Sequence, residues 1–263
     1  MSAPAQVLFL GTGTSHGVPM IGCICDVCRS TDPRDTRLRP SIYVEVPRRA
    51  RILVDAGPDL RQQALTHGIT SLDAILLTHA HADHILGLDE VRRFNAMRGG
   101  PMPCYASRKT WETVWKTFHY IFDRVPRKGG GVPEIDPHEI EWPVAIAGVR
   151  VVPVPVWHGD MPILGFRLGS FAYLTDCNRI DDASMALVEG VDTLVIDALR
   201  DRPHSTHFSL EEALEVAGRL RPRRTYLTHM CHDLGHAATS ARLPAGIELA
   251  YDGLALDVLV DVE

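Results

Sequence analysis

The stretch "LLTHAHADHILGL" (Leu76 to Leu88) places three histidines and an aspartate within six residues, His79 to His84. An apolar run, Ala74–Leu77, leads into it. A continuing strand would alternate these side chains between two faces. A loop leaving a strand end turns them toward one point instead, and imidazole nitrogens with a carboxylate are donors that Zn²⁺, Mn²⁺ or Fe²⁺ accept. The set holds nitrogen and oxygen but no thiolate, which suits an open, Lewis-acidic catalytic site more than a closed structural one.

Short apolar or alternating runs recur on both sides of this stretch, at Val7–Leu10, Ile42–Val46, Arg51–Asp55, Val149–Pro155, Gly165–Leu168, Phe171–Thr175, Thr193–Asp197, Thr225–Thr228 and Leu254–Val260. Helical patterns fall at Asp59–His67, Leu88–Met97, Arg108–Phe118 and Ser209–Leu220. In the last of these, "SLEE" reads as a capping box with Ser209 at the N-cap and Glu212 three residues on. The early strands follow one another like hairpins, and helices arrive later in each half. The expected class is therefore α/β, two mixed β-sheets packed on each other with helices on the outer faces, rather than a doubly wound parallel sheet.

With 263 residues and no low-complexity segment or linker, the chain reads as one domain over residues 1–263. Residues 98–141, with "RGGPMP" and "RKGGGVPEIDP", form the least regular part and read as an insertion or lid, or as ordinary surface loops. A net charge of −6 offers no basic surface for long nucleic acid or an anionic membrane. The opening "MSAPAQVLFLGTG" has no cationic leader, and its apolar run is short for a signal segment or a membrane span. A cytoplasmic location without a membrane partner is expected, with a homodimer as the default assembly.

"THAHADH" (Thr78 to His84) resembles the signature of the metallo-β-lactamase superfamily, an αββα sandwich with a dinuclear site between its sheets. Further positions follow in the order the resemblance requires: His158 in "VPVWHGD", Asp176 in "FAYLTDCN" and His229 in "RTYLTHMCH", each at the end of a strand-like run. The resemblance covers nearly the whole chain. It implies that His79, His81 and His158 hold one divalent ion, that Asp83, His84 and His229 hold a second, and that Asp176 bridges them, with the ions about 3.5–4 Å apart. Including a bridging hydroxide, such a site keeps about one positive charge, the complement of a phosphodiester. Asp55 in "ILVDAGPD" and Asp197 in "LVIDALR" also close strands, and each either orients a ligating imidazole or serves a plain turn or cap.

"GCICDVC" (Gly22 to Cys28) is a poor disulfide candidate, because Cys23 and Cys25 are too close for bridge geometry. Its three thiolates need a fourth ligand for a tetrahedral zinc, and His232, three residues past His229, is the candidate. Together with "GTGTSHGVP" (Gly11 to Pro19), this cluster resembles the phosphodiesterase branch of the superfamily, that of phosphoribosyl 1,2-cyclic phosphate phosphodiesterase. The branch carries a structural zinc on three cysteines and a late histidine, which implies Cys23, Cys25, Cys28 and His232 here. Cys104, Cys177 and Cys231 read as incidental thiols. His16 either lines the cleft or faces solvent in a tight turn.

A departing alkoxide needs a proton near pH 7, and a protonated imidazole supplies one. "RPHSTHFSLEEAL" offers His204 and His207; His207 matches the family's proton-donating position and is favoured. Asp83 is expected to orient the hydroxide as well as to ligate. Arg124, Arg127 and Lys128 are candidates for reading the rest of the substrate. The function so implied is hydrolysis of a small, cyclic phosphodiester by a metal-bridging hydroxide, with two active-site ions (zinc, manganese or iron) and one structural zinc. An acyl hydrolase acting on a thioester or lactone is the alternative within the fold, but it leaves "CICDVC" and His207 unexplained. A transfer-RNA 3′-processing nuclease would want a gripping arm and a basic surface. A catalytically inactive metal-binding module is opposed by seven intact ligand positions.

Overall fold

In a computed structural model of the chain, residues 1–123 and 131–263 are described. The strands, in chain order, are β1 (Ser2–Gly11), β2 (Ser41–Val46), β3 (Ala50–Val54), β4 (Ala74–Leu76), β5 (Met102–Ala106), β6 (Ile135–Glu139), β7 (Val144–Ile146), β8 (Val149–His158), β9 (Met161–Leu168), β10 (Phe171–Leu174), β11 (Thr193–Asp197), β12 (Arg224–Thr228), β13 (Ile247–Leu249) and β14 (Ala255–Asp261). The α-helices are α1 (Leu60–His67), α2 (Ala82–Ile85), α3 (Val91–Arg98), α4 (Arg108–Thr117), α5 (His119–Phe122), α6 (Asp182–Val188), α7 (Leu210–Leu220) and α8 (His236–Ser240).

One sheet runs β14-β1-β2-β3-β4-β5-β6 and the other β13-β12-β11-β10-β9-β8-β7. Each joins an antiparallel part to a parallel one: β1, β2 and β3 are antiparallel and β3 to β6 parallel, while β7 to β10 are antiparallel and β10 to β13 parallel. Val7, Phe9, Val44, Ile52, Phe166 and Tyr173 fill the space between the sheets. On the outer face of the first sheet, Leu10, Leu53 and Ile75 meet Leu60, Val91 and Trp111 from α1, α3 and α4. On that of the second, Leu174, Ile196 and Leu227 meet Met185, Ala213 and Val216 from α6 and α7. The layers are the αββα sandwich of two mixed sheets that the patterning implies. β4, β10 and β11 are buried on both faces because helices cover one side and the partner sheet the other. The edgeward β14 alternates exposed and buried residues.

The capping box forms as read: Ser209 Oγ accepts the Glu212 N–H at 3.3 Å, and the Glu212 carboxylate accepts the Ser209 N–H at 2.7 Å. Residues 98–141 differ from the expectation of an insertion or lid. Their described part supplies β5 and β6 to the first sheet, with buried Trp111 of α4 donating its indole N–H to the His138 carbonyl at 2.9 Å. "IDPHE" hides as a strand because an edge position tolerates proline and charge. Arg124, Arg127 and Lys128 lie outside the described residues. Among the described residues no helix is long and apolar enough to cross a membrane.

Candidate metal centre and cleft

The parallel strands β3, β4, β10, β11 and β12 end at one edge of the sandwich, and a polar residue follows or closes each. Asp55 follows β3, Thr78 to His84 follow β4, Asp176 follows β10, Asp197 closes β11 and His229 follows β12; His158 closes β8. Asp55, Asp176 and His229 adopt left-handed backbone with φ of 64°, 57° and 60°. For non-glycine residues this costs about 1–2 kcal/mol each and recurs where a functional arrangement imposes it. The turn is what directs these side chains into the gap between the sheets. Gly57 lets the same loop pack on the histidine stretch: a Cβ there would collide with the Asp83 carbonyl.

The other six expected ligand side chains converge on Asp176. Its Oδ2 lies 3.0 Å from both His84 Nε2 and His229 Nε2. Asp83 Oδ2 completes that group, 3.4 Å from His84 Nε2 and 3.7 Å from His229 Nε2. The other carboxylate oxygen, Oδ1, lies 4.0 Å from His79 Nε2 and 4.0 Å from His158 Nδ1. The His81 ring sits 4.5 Å from that of His79 and 4.9 Å from that of His158. Asp176 thus stands between two donor groups, one oxygen to each.

The donor chemistry fits divalent ions. His79 Nε2 is buried without a hydrogen-bond partner, a costly condition for a ring nitrogen unless its lone pair meets a cation, and His84 Nε2 and His229 Nε2 converge on the Asp176 carboxylate at 3.0 Å. Burial, with neighbouring imidazoles, holds His79 well below its ordinary pKa, and burial lowers His158 to about 4, so both are neutral donors. The carboxylate side of the site asks for positive charge. Burial opposes a charged His229, yet Asp176 and Asp83 raise it to about 10. Burial likewise opposes a charged His84, which Asp176, Asp55 and Asp83 nevertheless lift well above the usual imidazole range.

Two aspartates fix the rings from behind. Asp55 Oδ2 accepts from His84 Nδ1 at 2.7 Å, and the same carboxylate accepts the Thr78 N–H and hydroxyl at 2.8 and 2.9 Å. The His84 tautomer is thereby set with Nε2 facing Asp176. Asp197 Oδ2 accepts from His207 Nδ1 at 3.1 Å and from the Phe208 N–H at 3.2 Å. Of the two roles left open for each, orienting an imidazole is the one the contacts show; Asp197 hydrogen-bonds His207 and also faces Nδ1 of the ligand candidate His229 at 3.6 Å through its other oxygen. His207 is buried, and its ring lies 4.8 Å from His158 and 4.7 Å from His229. His204 stands farther out, 5.1 Å from His207, with Nδ1 engaged by Thr206.

The cysteine cluster closes as expected. His232 Nδ1 is 3.2, 3.4 and 3.5 Å from the sulfurs of Cys23, Cys25 and Cys28. Tetrahedral zinc bonds of about 2.3 Å to sulfur and about 2.0 Å to nitrogen imply an S–N edge of roughly 3.5 Å, so the four donors stand nearly at coordination spacing. The Cys28 N–H lowers Cys25 to about 6, whereas burial, with Cys23 and Cys25, lifts Cys28 to about 11. A nearby cation therefore favours deprotonating Cys28 alongside Cys25. Cys104 and Cys177 are buried and apart from this cluster. His16 is exposed in a tight turn and also lines the cleft, so both of its alternatives hold.

Sequence reading missed the clamp that holds these loops. Arg37, with a fully buried side chain, donates to the carbonyls of Cys231 (3.0 Å) and Leu234 (2.6 Å) and pairs with Asp35 at 3.1 Å. Asp35 in turn accepts the His236 N–H at 2.7 Å. No local pattern announces it, because its partners lie nearly 200 residues away. Arg37→Met leaves Asp35 buried without its cation; a loss of about 3 kcal/mol in unfolding free energy is expected by denaturant titration.

Residues 50–230 match a family model described as the beta-lactamase superfamily domain. A solved structure described as a new diphosphatase from the PhnP family is 45% identical, covers 99% of each chain and superposes with a TM-score of 0.92. The chain belongs to the beta-lactamase superfamily, in its PhnP family. An octanoyltransferase of Porphyromonas gingivalis is 37% identical over 251 residues, 95% of this chain but 51% of that protein. This superfamily member thus spans about half the length of that relative. Zn²⁺-bound PqqB from Methylobacterium extorquens shares the fold at 21% identity, covering 96% of this chain and all of that one, with a TM-score of 0.77.

Proposed function

We propose that this superfamily hydrolase cleaves a small phosphodiester at phosphorus, using two divalent ions held by its histidine–aspartate cluster, with His207 as the proton donor. The single observation that carries the reading is His207 itself: a buried imidazole beside the ligand cluster, oriented by Asp197, that no ligand role requires. Thioester hydrolysis, whose thiolate leaves without a proton, gives such a residue no comparable task, although a lactone's alkoxide would. The diphosphatase relative supports phosphorus as the reacting centre. The octanoyltransferase name belongs to a protein about twice as long and does not decide against it.

In this reading His79, His81 and His158 hold one ion, Asp83, His84 and His229 the other, and Asp176 both. Bound there, zinc, manganese or iron would supply a lowered water pKa and neutralise phosphate charge. The protein's own part is positional. Asp176 and Asp83 place negative charge at the floor of the site, and Asp55 and the Asp176 carbonyl, the latter 2.7 Å from His158 Nδ1, lock ring orientation. Asp197, accepting at Nδ1, leaves His207 Nε2 to carry the proton to the departing oxygen. A cyclic ester keeps both oxygens on one molecule and suits a compact site.

Cys23, Cys25, Cys28 and His232 are assigned one structural zinc. Cys25→Ser should lose about one equivalent of zinc by elemental analysis while the histidine–aspartate cluster keeps its ions. The function itself is tested by offering metal-loaded protein a 2′,3′-cyclic nucleotide, a phosphoribosyl cyclic phosphate and bis(p-nitrophenyl) phosphate beside a thioester and a lactone. Turnover of the phosphorus compounds is expected. Cleavage confined to the thioester or lactone would leave only the fold and the metal sites standing.

A further inference from the structure

Thr78, at the exit of β4 and just before His79, is fully buried, and each of its polar groups has a partner. Its N–H donates to Asp55 Oδ1 at 2.8 Å, and its carbonyl accepts the Leu164 N–H at 3.0 Å. Its hydroxyl lies 2.9 Å from Asp55 Oδ2 and 3.0 Å from His79 Nδ1. The geometry dictates where the protons sit. Asp55 accepts at both oxygens, so the single hydroxyl proton of Thr78 goes to Asp55. The hydroxyl oxygen then has only lone pairs to offer His79, and Nδ1 must carry the proton it accepts. His79, which burial keeps neutral, thereby turns its own lone pair to Nε2, the buried nitrogen without a hydrogen-bond partner. His84 needs no intermediary: its Nδ1 meets Asp55 Oδ2 at 2.7 Å, against 3.4 Å to the Thr78 hydroxyl.

We infer that Thr78 is a positioning residue for the metal centre, its hydroxyl passing the orienting role of Asp55 on to His79, so that one buried carboxylate sets a ligand ring in each of the two ion sites. The inference rests on the two-ion reading above and deepens it. Threonine suits the task because its β-branch restricts χ1 and keeps the oxygen between its two partners. The backbone bonds on either side fix the strand exit from which it projects. His158, the other buried ring assigned to the first ion, is held separately, its Nδ1 lying 2.7 Å from the Asp176 carbonyl. Loss of the hydroxyl therefore frees His79 alone and leaves the Asp55–His84 contact in place.

The test is Thr78→Val, which replaces the hydroxyl by a methyl of similar size, with Thr78→Ser as the variant that keeps the oxygen. Mn²⁺ binding to the histidine–aspartate cluster is followed by calorimetry on protein whose Cys–His cluster is filled with zinc. Thr78→Val should weaken one equivalent about 10–100-fold and leave the other largely unchanged. Thr78→Ser should stay near wild type. Because Thr78 acts through His79, Thr78→Val should cause no further loss in a His79→Ala background. Histidine labelled with ¹⁵N gives a second readout in the zinc-loaded protein: the His79 Nδ1–H proton should lose its downfield shift and exchange faster in Thr78→Val, while that of His84 is retained. Should the valine variant not fold, Thr78→Ala removes the hydroxyl without setting a methyl against the carboxylate and is measured in its place. Equal weakening of both equivalents, two equivalents bound as in wild type, or a further loss on top of His79→Ala would overturn the inference. Selective loss of one equivalent in a protein whose wild type hydrolyses no phosphodiester sinks the functional reading and leaves the role of Thr78 standing. Phosphodiester turnover together with ion binding indifferent to Thr78 does the reverse.

Discussion

Asp176→Ala is expected to strip both ions from the active site and to lower kcat/KM on phosphodiesters by about 10³-fold or more, the equivalent of several kcal/mol of lost charge stabilisation. The reason is geometric. One carboxylate oxygen lies 3.0 Å from His84 Nε2 and His229 Nε2, and the other lies 4.0 Å from His79 Nε2, so a single side chain serves both donor groups. His79→Ala, in contrast, should remove one equivalent and leave the other. Elemental analysis of the two variants beside wild type checks the claim; an Asp176→Ala protein that keeps a full complement of ions would refute the bridging role. The change also leaves neighbouring imidazoles without the carboxylate that faces them, so circular dichroism must show both variants folded.

The second large effect is His207→Ala, and its size should depend on the leaving group. An alkoxide departing near pH 7 needs a proton in the transition state, so loss of the donor should cost about 10²–10⁴-fold in kcat on a cyclic ribose phosphate. A p-nitrophenolate leaves without that help, and a phosphate monoester, with its second pKa near 6, needs little of it. The variant should therefore retain much of its rate on bis(p-nitrophenyl) phosphate and on a dinucleoside diphosphate. A uniform loss on all leaving groups would mean that His207 shapes the site without donating a proton. His204→Ala is the control: its ring stands farther from the ligand cluster, and only a small effect on chemistry is expected.

The sequence carried these residues unevenly, for physical reasons. "THAHADH" is legible because a metal centre concentrates rare donors at one strand exit. Asp176 and His229 are legible because a buried apolar run ending in an ionisable residue needs a reason. The strands flanking the core, such as Thr193–Asp197, show themselves by continuous burial. β5 and β6 do not, since β5 carries a proline and no polar residue to mark its alternating burial, the edge strand β6 is mostly polar, and β7 and β13 are three residues each. The partner of Asp197 was not legible either, because its contact with His207 forms across the turn between β11 and α7. Arg37 is a single arginine whose meaning lies wholly in what surrounds it after folding, a fully buried setting among carbonyls with Asp35.

In the proposed reaction water attacks phosphorus, and the ester oxygen departs with its carbon. Hydrolysis of a cyclic ribose phosphate by metal-loaded protein in ¹⁸O-enriched water tests this most directly, with the product read by the isotope shift of its phosphorus resonance. One labelled oxygen on phosphorus and none in the sugar hydroxyl is the expected result. Label in the hydroxyl, which signals C–O cleavage, would contradict it.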